Sequence, residues 1–342
     1  TKERWIMEKL KIISSNARKY FLVKFKFVIA RIILIGVFIL SIIFNGIILI
    51  YSFITLVVLF IIKVLTSRLP LQTDEYDGPY TYVYKQEKKD KLKLDIWYPL
   101  ETRKKYPVVF FAHGGGWIAG FRNQPNNVSW CRYLASRGFA AVSIDYRYGI
   151  KSTMFDILSD YDDALKYIRE HSQRLGFDDK NIFLMGLSAG GHMSLLYGAY
   201  NTFVRDFNAM KGVRAVVAYY APSDLQEVFS VTDSVFAKIA TRTTLKGSPK
   251  KLPNEYAMYS PIKWISERMV PVLLVHGKED KTVPVKSSYD MYESLLNYKV
   301  DSELIIHRHG GHTFEFELKD IDTLKIIRDT VNFMKEHIKN ED

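Results

Sequence analysis

The chain has a single cysteine, Cys131, among 342 residues. One thiol makes no intramolecular disulfide, so a cross-linked scaffold is excluded and stability must come from a core. Cys131 lies in VSWCRYLASRG, which has a helical period and reads as the site of a buried structural thiol. Net positive charge is small over most of the chain as well. The formal net charge is +11, but residues 1–70 hold eleven Lys/Arg against two Asp/Glu, which leaves only +2 for the other 272 residues. So nearly neutral a body lacks the electrostatic footprint of a nucleic-acid partner, and none is expected.

Between Arg31 and Lys63 charge is absent altogether. As a helix, residues 32–62 would run roughly 46 Å, against a hydrocarbon core of about 30 Å. No soluble core hides so long an apolar run, and it exceeds a signal-peptide hydrophobic region. Residues 32–62 are therefore expected to anchor the protein in a membrane. One tilted crossing is the simpler arrangement, and a re-entrant hairpin folded at Asn45-Gly46 is the competitor. Arg18, Lys19, Lys24, Lys26 and Arg31 precede the run, while only Lys63 and Arg68 follow closely. The positive-inside bias then places the N-terminus in the cytoplasm and the body outside. Residues 1–31 mix Lys/Arg with Trp, Ile and Phe, a pattern suited to a helix on an anionic leaflet or to a plain extension of the anchor.

After a linker at 63–79 the pattern becomes an alternation, and residues 80–342 read as one domain. YTYVYK and KLKLDIWYP have the period of two that marks strands with one wetter face. YPVVFFA, GFAAVSIDY, NIFLMGL, VRAVVAYYA, VPVLLVH and SELIIHR are short continuous apolar runs, suited to strands buried on both faces. Helical periods lie between them, as in FDILSDYDDALKYIREHSQRLG and IDTLKIIRDTVNFMKEHIK. About eight strands interleaved with helices predict a mostly parallel, doubly wound α/β sheet, which binds ligands at the carboxyl ends of its strands.

Those ends carry the polar residues. YPVVFFA runs into HGGGW (His113 to Trp117), and NIFLMGL into GLSAGG, which contains Ser188. Asp224 follows VRAVVAYYA, Asp280 follows VPVLLVH, and His309 and His312 follow SELIIHR. Gly-x-Ser-x-Gly between strand and helix is a sharp turn that strains the serine backbone and exposes its hydroxyl; Gly186 and Gly190 avoid clashes there. A hydroxyl is a poor nucleophile at neutral pH, so it needs a base, and the base an orienting group. The glycine loop can offer backbone N–H groups to a developing oxyanion.

HGGGW, SIDYR, GLSAGGH, HGKEDKTVP and GGHTF, in this order, resemble the α/β-hydrolase carboxylesterases. The similarity is to the branch with an HGGGW loop, which includes hormone-sensitive-lipase-like, acetyl-esterase-like and feruloyl-esterase-like enzymes. It covers roughly residues 75–340. The resemblance implies Ser188 as nucleophile, His312 as general base and Asp280 as the carboxylate that orients it. It implies an oxyanion hole from the N–H groups of Ala189, Gly115 and Gly116, with His113, Gly114 and Trp117 supporting the loop. The implied reaction is hydrolysis of a small-molecule, lipid or polysaccharide ester through an acyl-enzyme, with no cofactor and no metal.

Alternatives stand beside these assignments. His309 competes with His312, and Glu279 and Asp224 compete with Asp280. His307 and His309 alternate onto one face of their strand and read as packing groups; His192 is expected beneath Ser188. His276, His171 and His337 read as structural or exposed. Asp145, Tyr146 and Arg147 suit a buried polar cluster. Residues 225–260, with Phe229 and Phe236, are long for a crossover connection and could form a small lid. Amide hydrolysis (a formamidase, whose kynurenine-specific type shares a similar loop, or a serine peptidase) and a catalytically inactive binding module are the competing functions.

Overall fold

The computed structural model describes Ile29 and residues 32–40, 42–59, 62–63, 65–71, 73–87 and 90–339. The expectation for residues 1–31 falls, Ile29 apart, outside them. The chain divides into two units, residues 1–63 and 64–342. In the first, helix α1 (Ile32–Leu59) is long and apolar enough to cross a membrane, and none of its most apolar stretch is buried.

The second unit is built on eight strands: β1 (Asp77–Glu87), β2 (Asp90–Tyr98), β3 (Tyr106–Ala112), β4 (Ala140–Ile144), β5 (Phe177–Leu187), β6 (Val213–Tyr219), β7 (Val272–Gly277) and β8 (Ser302–His307). They form one sheet in the order β1-β2-β4-β3-β5-β6-β7-β8. The β1–β2 and β2–β4 pairs are antiparallel, and every pair from β4 to β8 is parallel. Each of the eight overlaps a run read from the sequence, with β1 and β5 beginning earlier, at Asp77 and Phe177. The helices of this unit are α2 (Pro125–Ser136), α3 (Met154–Glu170), α4 (Ser172–Leu175), α5 (Ala189–Phe203), α6 (Leu225–Val231), α7 (Val235–Leu245), α8 (Pro253–Met258), α9 (Lys286–Asn297), α10 (Phe314–Glu317) and α11 (Ile321–Glu336).

The two-residue alternation of β3 explains the layering. Val108 and Phe110 belong to a core with Ile157 and Tyr161 of α3, Met193 of α5 and Met291 of α9. Val109 and Phe111 pack with Trp130 and Leu134 of α2 and Ile327 and Val331 of α11. Full burial of each such side chain stabilises by about 1.5–3 kcal/mol, which makes the doubly covered strands the best-held part of the fold. Helix α3 starts where it does because Thr153 and Asp156 form a reciprocal capping box. Cys131 is buried in α2, and burial pushes its thiol pKa well up.

The packed body begins earlier than the expected boundary at residue 80. Leu69 is only 2% exposed and its N–H donates to Ser129 Oγ at 3.0 Å, while β1 starts at Asp77. The segment read as linker thus enters the core, because Leu69 finds an apolar seat against α2.

Candidate active site

Ser188 occupies the turn between β5 and α5. Its backbone sits at φ +51°, ψ −113°, a conformation that costs an L-residue roughly 1–3 kcal/mol. The surroundings hold it there. Ser188 N–H donates to Tyr219 O on β6 at 2.8 Å, and Ser188 O accepts from His192 N at 2.8 Å. A Cβ on Gly186 would run into the backbone of Gly190, and one on Gly190 into the carbonyl of Ala112. Only hydrogen fits at either position.

His312 follows β8 and Asp280 follows β7, and the two meet beside Ser188. His312 Nδ1 lies 2.7 Å from Asp280 Oδ2, and His312 Nε2 lies 3.1 Å from Ser188 Oγ. The carboxylate can only accept, so the Nδ1 proton faces it and Nε2 is left to accept from the hydroxyl. Asp280 is buried; its Oδ1 accepts from Thr282 N at 2.7 Å and Val283 N at 2.9 Å. Burial works to raise its pKa, but hydrogen bonds from His276 and His312 outweigh that and hold the carboxyl well below its ordinary range.

His276 was expected only to be structural or exposed. It is fully buried, and its Nε2 lies 3.2 Å from the same Asp280 Oδ2 and 2.9 Å from Val283 O. Both neighbours accept, so Nε2 carries the proton and Nδ1 accepts from Ser288 Oγ at 2.7 Å. The signal that could have found it is the four-residue spacing within HGKED, which returns the chain from the strand end onto the ring.

The competing groups lie elsewhere. His309 is not a packing group: its side chain is 80% exposed, and Nδ1 lies 3.4 Å from the exposed Glu279. The strand ends at His307, so the alternation that paired the two histidines stops before His309. His307 is buried against Thr323 and Asp320. Asp224 caps α6 through Gln226 N and Glu227 N and pairs with Lys263. His171 stacks on Tyr167 and His337 packs on Phe333.

The glycine loop crosses in front of Ser188; a Cβ on Gly114 would sit 3.5 Å from Ser188 Cβ. Gly115 (φ +119°) and Gly116 (φ +60°) use backbone conformations that favour glycine. Gly115 O accepts from Ala119 N at 3.0 Å, which closes the loop. Ala189 is the first residue of α5, where backbone N–H groups have no intrahelical acceptor. His113 is buried, stacks on Tyr146 at 4.2 Å and donates from Nδ1 to Gly114 O at 2.7 Å. Burial lowers its pKa to about 4, so it stays neutral near pH 7. Tyr146 O–H donates to His113 O at 2.8 Å. Trp117 is buried and its ring meets the edge of His192 at 5.0 Å. His192 donates from Nε2 to Tyr259 O at 2.7 Å, and burial lowers its pKa to about 4. Asp145 pairs with Arg122, which also reaches Asp95, whereas Arg147 pairs with Asp160.

Two further neighbours were not read from the sequence. The Tyr220 ring, at φ +38°, lies 4.5 Å from the His312 ring, and its O–H donates to Glu315 Oε1 at 2.6 Å. Glu315 is fully buried, and burial raises its pKa to about 8 despite that hydrogen bond. Nothing in FEFE announces a buried acid, because the helix there has one turn. Among the described residues no group of three or more His, Cys, Asp or Glu could hold a metal ion.

A mostly parallel sheet edged by antiparallel β1 and β2, with its polar residues gathered at the carboxyl ends of β3, β5, β7 and β8, defines an α/β-hydrolase. The family model described as BD-FAE matches residues 94–295, and the chain belongs to the BD-FAE family. It is 27% identical over 238 residues to the probable isoprenylcysteine alpha-carbonyl methylesterase ICME of Oryza sativa subsp. japonica, covering 66% of this chain and 56% of that protein. It is 28% identical over 209 residues to esterase LipC of Mycobacterium tuberculosis, covering 59% and 51%. The chain thus spans about half the length of the curated relatives it matches. Among solved structures, the butyrate-bound esterase Est2 of Thermogutta terrifontis superimposes with a TM-score of 0.61 at 25% identity, covering 76% of this chain and 92% of that one.

Proposed function

We propose that this protein is a membrane-anchored serine hydrolase that cleaves carboxylic esters. The observation that carries the reading is the continuous line from Asp280 through His312 to Ser188, at 2.7 and 3.1 Å. Ser188 Oγ attacks the ester carbonyl while its proton passes to His312 Nε2. Asp280, ionised and buried, holds the ring through Nδ1 and stabilises the imidazolium. The oxyanion is received by the N–H groups of Gly115, Gly116 and Ala189. Collapse breaks the bond to the alkoxy group, which leaves as an alcohol with the proton from Nε2. Water, deprotonated by the same nitrogen, then attacks the acyl-enzyme, releases the acid and returns the proton to Ser188.

The esterase names of the relatives support an ester rather than an amide as substrate. The substrate in this reading is a small-molecule ester or one carried on a lipid or polysaccharide; the pairing of charge and apolarity around α1 favours a location at a membrane. In this reading α1 is the anchor, the basic residues before it stay in the cytoplasm, and the body lies outside. A fluorophosphonate probe tests the core of the proposal. It should label the full chain and fail to label Ser188→Ala. Equal labelling of both would remove Ser188 from the mechanism.

A further inference from the structure

Helix α7 presents an unusual outer face. Ser234 caps it, accepting from Ala237 N, and Ala237, Ala240, Thr241, Thr244 and Leu245 turn inward. The outward side carries Val235, Phe236 and Ile239, which are 70%, 49% and 55% exposed. By helical periodicity Val235 and Ile239 lie side by side, with Phe236 at the edge toward the core and Lys238 and Arg242 along the other flank. Val231 at the end of α6 is also exposed, as is Ile150, next to the Gly149 carbonyl that accepts from Lys246 Nζ at 2.5 Å. Residues 232–251 contain five Lys/Arg and one acidic residue, Asp233. Solvent-facing apolar side chains edged by cations are the composition of a helix that lies in a lipid headgroup layer.

The position of this stripe gives it meaning. A Cβ on Gly116 would meet Ala240 Cβ at 2.8 Å and the Phe236 ring at 3.2 Å, so α7 rests on the glycine loop in front of Ser188. Leu69, the first packed residue of the body, follows Leu59 at the end of α1 by ten residues, a covalent reach of at most ~35 Å. With α1 in a bilayer, Leu69 therefore stays within that reach of the membrane.

We propose that the outward face of α7 is a contact surface for an anionic bilayer, and that ester substrates reach the glycine loop from the headgroup layer. This rests on the ester-hydrolase reading for its substrate and on α1 for its location. The contact itself is tested separately.

The test uses the full chain in vesicles of equimolar phosphatidylcholine and phosphatidylglycerol. An environment-sensitive thiol fluorophore is placed at Val235→Cys, or at Lys104→Cys near the opposite ends of the strands; Cys131 is buried and does not compete. A nitroxide lipid should quench position 235 strongly and position 104 weakly. Equal quenching, none at 235, or self-quenching at 235 that ignores the nitroxide and so marks a second copy, overturns the proposal. In the second arm, Val235→Asp with Ile239→Asp should lower hydrolysis of a bilayer-resident ester about tenfold or more, while a water-soluble butyrate ester is hydrolysed within about twofold of the parent rate. Equal loss on both esters counts against the contact. No turnover of either ester by the parent defeats the esterase reading, and the quenching arm still decides the contact.

Discussion

His276 and His312 share one oxygen of Asp280. His312 Nδ1 approaches Oδ2 at 2.7 Å and His276 Nε2 at 3.2 Å, while Oδ1 is held by two backbone N–H groups. The carboxylate is thus fixed from three directions, and one of them leads to the serine.

Loss of the hydrogen-bonded line should be severe. Asp280→Asn keeps the shape but offers an amide donor to His312 and so favours the wrong tautomer. We expect kcat for a soluble butyrate ester to fall about 10⁴-fold, and Ser188→Ala or His312→Ala to cost a similar factor. His309→Ala should leave the rate unchanged, because that side chain points into solvent. Steady-state kinetics on the four variants checks this.

His276→Phe removes one donor from a buried charge. A hydrogen bond to a charged group contributes about 1.5–3 kcal/mol, so kcat should fall roughly 10- to 150-fold. KM should stay within about twofold, because the ring lies behind Asp280 and away from the mouth of the site. Ser288→Ala, which removes only the partner of Nδ1, should cost less. A change confined to KM would deny His276 a positioning role.

Glu315 gives stability a pH dependence of its own. Its carboxyl keeps a proton up to about pH 8 when folded and releases it near pH 4.5 when unfolded. The folded state therefore holds the extra proton, and stability declines as pH rises through this interval. Between pH 6.5 and 8 the thermal midpoint of the parent should fall, and that of Glu315→Gln should change less. Differential scanning calorimetry reads the difference, and parallel curves would show that Glu315 does not titrate in this way.

His113 and His192 act in the opposite direction. Both are buried, and both titrate near pH 4 when folded rather than at 6.5. Their effect is nil above pH 6.5 and destabilising as pH falls from 6.5 to 4, where the unfolded chain takes up protons that the folded one refuses. At about 1.4 kcal/mol per pH unit, each can contribute up to about 3 kcal/mol of acid lability. His113→Asn and His192→Gln keep the donors to Gly114 O and Tyr259 O without the titration. Denaturant midpoints of the double variant should depend less on pH over this range than those of the parent.

The sheet was legible because strands buried on both faces leave uninterrupted apolar runs, as in YPVVFFA, and because Ser188 stands between glycines that tolerate no side chain. The meeting of Ser188, Asp280 and His312 was anticipated through family resemblance. Other parts left no mark in the sequence. The seat of Leu69 against α2 depends on a contact 60 residues away, which no local pattern around Leu69 announces. Alternation does not show where a strand ends, so nothing in HRHGGH places His309 beyond the end of β8. His276, Tyr220 and Glu315 join the site through tertiary contacts with no local pattern, and a buried acid in a single helical turn looks like any surface glutamate.

His312 follows β8, one of the two edge strands, whose partner among the described strands is β7. In the proposed mechanism the general base is therefore tied to one edge of the sheet. Fraying of that edge would pull the imidazole away from the serine while β3, β5 and β6 kept their protected amides. Turnover would then vanish before spectroscopic melting begins, and the enzyme could be silenced and revived without ever losing its core.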